Sequence, residues 1–209
     1  MDKPQTQQFI ENSRHALNHL FDAIGEYYNV LVASQKDVEE IENSQKALSD
    51  LFLYRDQWSV NANYHYAQYM ERMSHLNTQK QEATNDLDIR LNNALSSIGA
   101  TVDSMSSLAG SVLQIAKQVL SLRHEGKPNI PASRTIGTQS IIEVIWEGRN
   151  HAMHWDEGAP RARVQNMLNA LHTDLGLTIV VGNNNCLSIL GALGWNSTDS
   201  VIRDLNALI

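Results

Sequence analysis

The chain has 209 residues, 42% of them hydrophobic and 19% charged, with a net charge of −7 and a single cysteine. That length supports one substantial core or two small helical units. One thiol excludes an internal disulfide and a cysteine-based zinc knuckle, and the negative charge argues against a general nucleic-acid binder with a basic face. Only four prolines and eleven glycines amid many Leu, Ala, Gln, Asn and Ser predict an all-α fold, a helical bundle with long helices.

The opening MDKPQTQQF is polar and lacks the basic-then-apolar order of a secretory signal, and no apolar run reaches about 18 residues. The expectation is a cytoplasmic protein without a membrane segment. Residues 5–33 read as a helix with apolar positions at Phe9, Ile10, Leu17, Leu20, Phe21, Ile24, Tyr28 and Leu31. A fresh start falls at Ser34, where Asp37, Glu39 and Glu40 suit the positive end of a second helix running to about 77. A break is expected near 58–62, and Tyr64, Tyr66, Tyr69 and Met70 form a packing stripe. Residues 1–80 thus form an N-terminal helical hairpin, and 81–209 a second helical domain or its direct continuation.

From 84 to 122 one pattern persists through Ile89, Leu95, Ile98, Val102, Met105, Leu108, Val112, Ile115, Val119 and Leu122, which predicts a long helix packed in coiled-coil fashion. Its other face is small, with Ser96, Ser97, Gly99, Ala100, Ser104, Ser106, Ser107, Ala109, Gly110 and Ser111, and suits the close approach of another helix, in a dimer or a bundle. Gly126, Pro128, Pro131 and Gly137 mark 123–137 as a linker. The next helix starts on a capping box, Ser140 to Glu143, and stops at Gly158 and Pro160. A helix over 160–174 ending at Gly176, a β-like run LTIVV at 177–181, a short helix over 185–192 and a last one over 199–208, capped from Ser197 or Thr198, complete the chain. Cys186, between apolar neighbours, reads as a buried small residue.

The helix after Ser140 ends in RNHAMH at 149–154. At about 100° per residue, Glu143, Glu147, Asn150 and His154 share one stripe with His151 beside it, whereas Arg149 lies about 140° from His154, in line with Ile142, Ile145 and Trp146. A guanidinium on an apolar face calls for a carboxylate, a phosphate or a second chain. The charge supports phosphate chemistry here. Residues 1–100 hold fourteen acids against eight Lys and Arg, but residues 117–163 hold seven Lys and Arg against five acids. Arg161 and Arg163 sit in the first turn of the following helix, where positive charge is unfavourable and another partner is expected to hold them.

Arg149 followed directly by Asn150 and, after three more residues, by His154, at the tail of an amphipathic helix in an all-helical chain, resembles the HEPN family of ribonucleases and nucleotide-binding helical domains. The likeness covers roughly residues 84–209 at most. Arg14 and His19 have the same spacing without the Arg-Asn pair and read as coincidence. The resemblance implies a HEPN-like C-terminal bundle, a homodimer whose two motifs face each other, and cleavage of RNA by its own 2′-hydroxyl, with no metal and no cofactor. Carried over to these positions, Arg149 stabilises the phosphorane, Asn150 orients the phosphate or the imidazole, and His154 is the base or acid, an imidazole being suited to proton transfer near neutral pH. Glu147 is expected to fix the His154 tautomer, and Arg161, Arg163 and His151 to contact RNA.

The resemblance further implies a toxin or phage-defence setting with an antitoxin or defence-system partner protein. Some family toxins are silenced by modification of a Tyr two residues after the His; Asp156 stands there, which puts that control in doubt. Two other readings stay open. Glu11, His15 and His19, or Glu147, His151 and His154, with His65, His75 and Asp22 at hand, could bind a metal as helical bundles do, in loose resemblance to DinB-like proteins. Alternatively the long small-faced helix and the acidic N-terminal half serve a non-catalytic interaction module.

Overall fold

The protein is described by a computed structural model covering residues 3–58, 66–131, 134–180 and 182–209. The order is α1 (Lys3–Trp58), α2 (Tyr66–His124), a 3₁₀ turn (Lys127–Asn129), β1 (Thr135–Ile136), β2 (Gln139–Ser140), α3 (Ile141–His154), α4 (Ala162–Leu175), α5 (Cys186–Leu193) and α6 (Thr198–Leu208). The expected all-α architecture with long helices is what the chain forms. No described helix is long and apolar enough to cross a membrane.

Two compact units divide the chain, one of residues up to Tyr28 with Val102–Ile209, the other of Asn29–Thr101. A boundary at 80 does not follow this division, because α1 and α2 each run through both units and the parting crosses the helices. In the Asn29–Thr101 unit, α1 carries its buried side on Leu31, Ser34, Val38, Ile41, Gln45 and Leu48, alternating steps of three and four. Ser34 therefore starts no second helix. It is a small polar residue in a heptad seam, and without Gly or Pro nearby the helix passes through it. On α2 the half-buried or buried positions are Thr84, Leu87, Leu91, Ala94, Ile98 and Thr101. Of the expected stripe, Ile98 lies on this side, whereas Ile89 and Leu95 are 52% and 49% exposed. Gln45 Nε2 donates to Asp88 Oδ1 at 2.8 Å between the two helices. Residues 59–62 of the expected break and Tyr64 lie outside the described residues, as do the side chains of Tyr66, Tyr69 and Met70.

In the other unit, Ile10 and Leu17 of α1 join a core of Leu113, Ala116 and Leu120 of α2 with the inward faces of α3 to α6. Here the expected α2 positions Met105, Val112 and Val119 are buried. Its small face is buried too at Ser106, Ala109 and Gly110, because α3 lies against it. A Cβ on Gly110 would stand 2.9 Å from that of Ala152, and one on Gly148 would stand 3.1 Å from Ile189 and 3.3 Å from Leu113.

The stretch expected as a linker is structured. Ile130 and Ile136 are buried, β1 pairs antiparallel with β2 (Thr135 opposite Ser140, Ile136 opposite Gln139), and Asp174 Oδ2 accepts from the Thr138 N–H at 2.7 Å and hydroxyl at 2.6 Å. Gly137 makes this turn at φ +58, packed directly on Asp174, where any side chain would be strained and would collide. The Arg134 guanidinium, which donates to the Leu193 carbonyl at 2.6 Å, also pairs with Asp204, which accepts the Trp195 indole N–H at 2.7 Å. Residues 177–180 form no strand. Asn185 takes the role of a strand partner, its Oδ1 accepting from Val180 N–H at 3.0 Å and its Nδ2 donating to the Val180 and Asn183 carbonyls. Helix ends follow their local signals: Ser140 Oγ accepts from Glu143 N–H, α4 closes on left-handed Gly176, and α6 opens on a full capping box from Ser197.

Candidate active site on helix α3

α3 presents its apolar face, Ile141, Val144, Ile145 and Gly148, to the core. Its polar stripe then falls where helix geometry puts it. Lys127, on the 3₁₀ turn, bridges Glu143 and Glu147. The Glu143 carboxylate is thereby drawn away from completing the capping box. Glu147 is 3% exposed, and both of its oxygens are used: Oε1 accepts from Lys127 at 3.0 Å and Oε2 from Asn150 Nδ2 at 3.0 Å. Asn150 Oδ1 in turn faces Lys117 Nζ of α2 at 3.5 Å, and the same ammonium lies 4.7 Å from the centre of the Trp146 ring.

Glu147 therefore does not hold the tautomer of His154. That partner is Glu157, one turn on, whose Oε1 accepts from His154 Nδ1 at 2.7 Å. The backbone brings it there because the helix ends at His154 and the chain turns back with Glu157 N–H donating to the His154 carbonyl at 3.2 Å. A neutral ring that donates from Nδ1 carries its lone pair on Nε2. His154 lines a pocket of about 150 Å³ with Asn150, His151, Glu157, Arg161 and Val164 among others.

Arg149 points elsewhere, as its angle on the helix requires. Its Nε donates to Gln114 Oε1 of α2 at 2.6 Å. Among the described residues it has no carboxylate partner. Arg161 and Arg163 are exposed at the start of α4, and Arg161 reaches the pocket.

His151, expected among the RNA contacts, lines the pocket but turns its ring into the fold. It is 4% exposed, and its Nε2 accepts from the Asn185 backbone N–H at 3.0 Å. Burial lowers its pKa, opposed by the Asn183 backbone, and with Nε2 accepting, the ring proton of the neutral form falls on Nδ1, a buried atom without a hydrogen-bond partner among the described residues. It supports the loop before α5 from inside. Cys186 is buried as expected, and burial pushes its thiol up to about 12.

The other histidine cluster does not assemble into a metal site. His15 and His19 meet with Nε2 atoms 3.1 Å apart, but Glu11 turns to Arg14, whose guanidinium also pairs with Asp199 at 2.7 Å. Arg14 and His19, the chance copy of the motif, thus serve separate partners. Glu147 and His154 are engaged as above, and among the described residues no three His, Cys, Asp or Glu side chains converge on a point. His65 lies outside the described residues.

Sequence reasoning missed three participants. Gln114 and Lys117 stand more than 30 residues from the motif in sequence, and nothing local points to them. Glu157 was within reach, three residues after His154, the spacing at which helical side chains meet. Comparison of the chain with family models, curated proteins and solved structures finds no match.

Proposed function

We propose that the chain is a metal-independent endoribonuclease. The observation that carries this reading is the His154–Glu157 pair: an imidazole oriented through Nδ1, in the lining of a pocket that Asn150 and Arg161 also line. In the proposed reaction the RNA 2′-hydroxyl attacks the adjacent phosphorus and gives its proton to Nε2 of His154. The bond to the 5′-oxygen breaks, and the departing oxygen takes a proton from the second copy's imidazole or from water, leaving a 2′,3′-cyclic phosphate and a 5′-hydroxyl. Arg149, most of whose donors have no partner among the described residues, supplies charge to the phosphorane oxygens. Since Arg149 leans on α2 while His154 faces the pocket, the reading includes a homodimer in which each phosphate meets Arg149 of one chain and His154 of the other. The setting proposed with it is a cytoplasmic toxin or defence nuclease held in check by a partner protein.

The test is direct. Purified protein should cleave RNA in EDTA and leave cyclic phosphate ends, and His154→Ala or Arg149→Ala should each slow this by about two orders of magnitude with circular dichroism unchanged, whereas His19→Ala should not. Cleavage that vanishes on chelation and returns with a divalent ion would overturn the mechanism.

A second reading has its own support. In the Asn29–Thr101 unit, Val30, Val32, Ile89 and Leu95 are each close to half exposed or more, which suits an arm that binds another protein. If assembly is the whole function, His154→Ala changes nothing measurable.

A further inference from the structure

Lys117 and Arg149 are two neighbouring cations, half-buried between α2 and α3, that lean on neutral groups. Arg149 uses its Nε on the Gln114 amide oxygen, and among the described residues Lys117 makes a long contact to Asn150 Oδ1 and lies over the face of Trp146, with Glu147 near enough to act on its charge. The carboxylates at hand are taken: Glu143 and Glu147 are both drawn to Lys127. Around this point stand three cations and two carboxylates, a local positive excess in a chain of net charge −7.

We propose that Lys117 and Arg149 together form the seat of one backbone phosphate of the RNA strand, with Lys117 a binding residue of the site. The guanidinium has planar paired donors to offer an oxyanion, and the ammonium is a point charge with hydrogens to spare. Trp146 and Asn150 hold the ammonium in place beforehand, so little side-chain freedom is lost on binding. Asn150 ties the seat to the pocket, since it faces Lys117 through Oδ1 and also lines the space beside His154. In the shared-site dimer of the nuclease reading, the phosphate on these cations is the one that meets His154 of the other chain, and Lys117 adds its charge to that of Arg149 there. Burial, and after it the charge of Arg149, lower the pKa of Lys117 against the opposing charge of Glu147. The choice of RNA as the anion's source rests on the nuclease reading; the anion seat itself does not.

Two measurements test this. In the unmutated protein, acylation of Lys117 by an anhydride, followed by peptide mass spectrometry, should be suppressed several-fold by inorganic phosphate while acylation of the exposed Lys36 is not. Equal labelling of Lys117 with and without phosphate overturns the seat, whatever the variants do. In parallel, a 2′-O-methyl oligoribonucleotide, which binds but cannot be cleaved, is titrated at several salt concentrations. Lys117→Gln should bind about tenfold more weakly, with the salt slope reduced by roughly 0.7 for the one lost phosphate contact, and Lys117→Arg should restore the slope. Protection by phosphate with an unchanged affinity and slope in Lys117→Gln overturns the strand contact. Loss of dimer rather than of oligonucleotide binding assigns the cations to a carboxylate of a second copy and also overturns it. If protection and binding both hold while the all-ribose strand stays intact, the seat stands and the nuclease reading falls.

Discussion

Glu157 reaches His154 from an exposed position, its side chain 63% accessible, so water can replace it in part. Removing it should therefore cost less than removing the imidazole. Glu157→Ala is expected to lower kcat for RNA cleavage about tenfold with little change in KM, and Glu157→Gln, whose amide oxygen can still accept the Nδ1–H hydrogen bond, should fall between. An effect on KM alone would make Glu157 a substrate contact and not a positioning residue. His151 makes a different prediction. Its pKa is lowered in the folded chain by burial, so below the unfolded value of 6.5 the unfolded chain binds the proton more readily. The contribution of the neutral ring to stability is complete above that pH and is lost as pH falls through the folded value. Urea midpoints should drop between pH 7.5 and 5, and His151→Gln should flatten that part of the profile. An identical slope in the variant would assign the acid sensitivity to other groups.

Among the elements, the contact of α2 with α3 depends on what is missing from Gly110. The Cβ of an alanine there would stand 2.9 Å from Ala152, whose Cβ is fixed to the α3 backbone and cannot swing aside. Alanine gains about 1 kcal/mol of helix propensity over glycine, but overpacking costs typically about 1–3 kcal/mol. Gly110→Ala should thus be destabilising on balance, seen as a lower denaturant midpoint at constant m, and it should also disturb the motif, since α3 must shift to make room. A stabilised variant would mean that the two helices part without penalty. A Cβ on Gly148 would meet side-chain methyls at slightly longer range, Ile189 Cγ2 at 3.1 Å and Leu113 Cδ1 at 3.3 Å, and the same change there should be milder. The small stripe of α2 was visible in sequence, but not which part of it is used. Ser106, Ala109 and Gly110 are buried under α3, while Ser96, Ser97, Gly99 and Ala100 face outward.

For the whole molecule the question is whether one chain can act alone. Arg149 leans on α2 through Gln114, and His154 faces the pocket with Arg161. A two-fold axis that sets α3 near its copy would let each guanidinium serve the other chain's imidazole. Mixing inactive Arg149→Ala with inactive His154→Ala should then restore part of the cleavage, because some mixed dimers hold one intact Arg and one intact His on the same phosphate. Subunits shown to have exchanged that remain inactive, or a fully active monomer, would rule out the shared site.

What local chemistry governs could be read from the sequence: the helical class, the caps at Ser140 and Ser197, the stop at Gly176, the shared stripe of Glu143, Glu147 and Asn150, and the divergence of Arg149 from His154. These depend on neighbours within a turn or two, and helix geometry sets them in advance. Tertiary structure decided the rest. The seam of α2 runs through Thr84, Leu87 and Leu91 and not through Ile89, because the helix buries the side that faces a partner, whatever its composition, and hydrophobicity alone does not name that side. Glu147 went to Lys127 and Asn150, leaving His154 to Glu157; His151 was claimed by Asn185, and Arg149 by Gln114. In most of these choices the deciding partner lies 20 to 35 residues away in the chain, and only packing brings it within bonding distance.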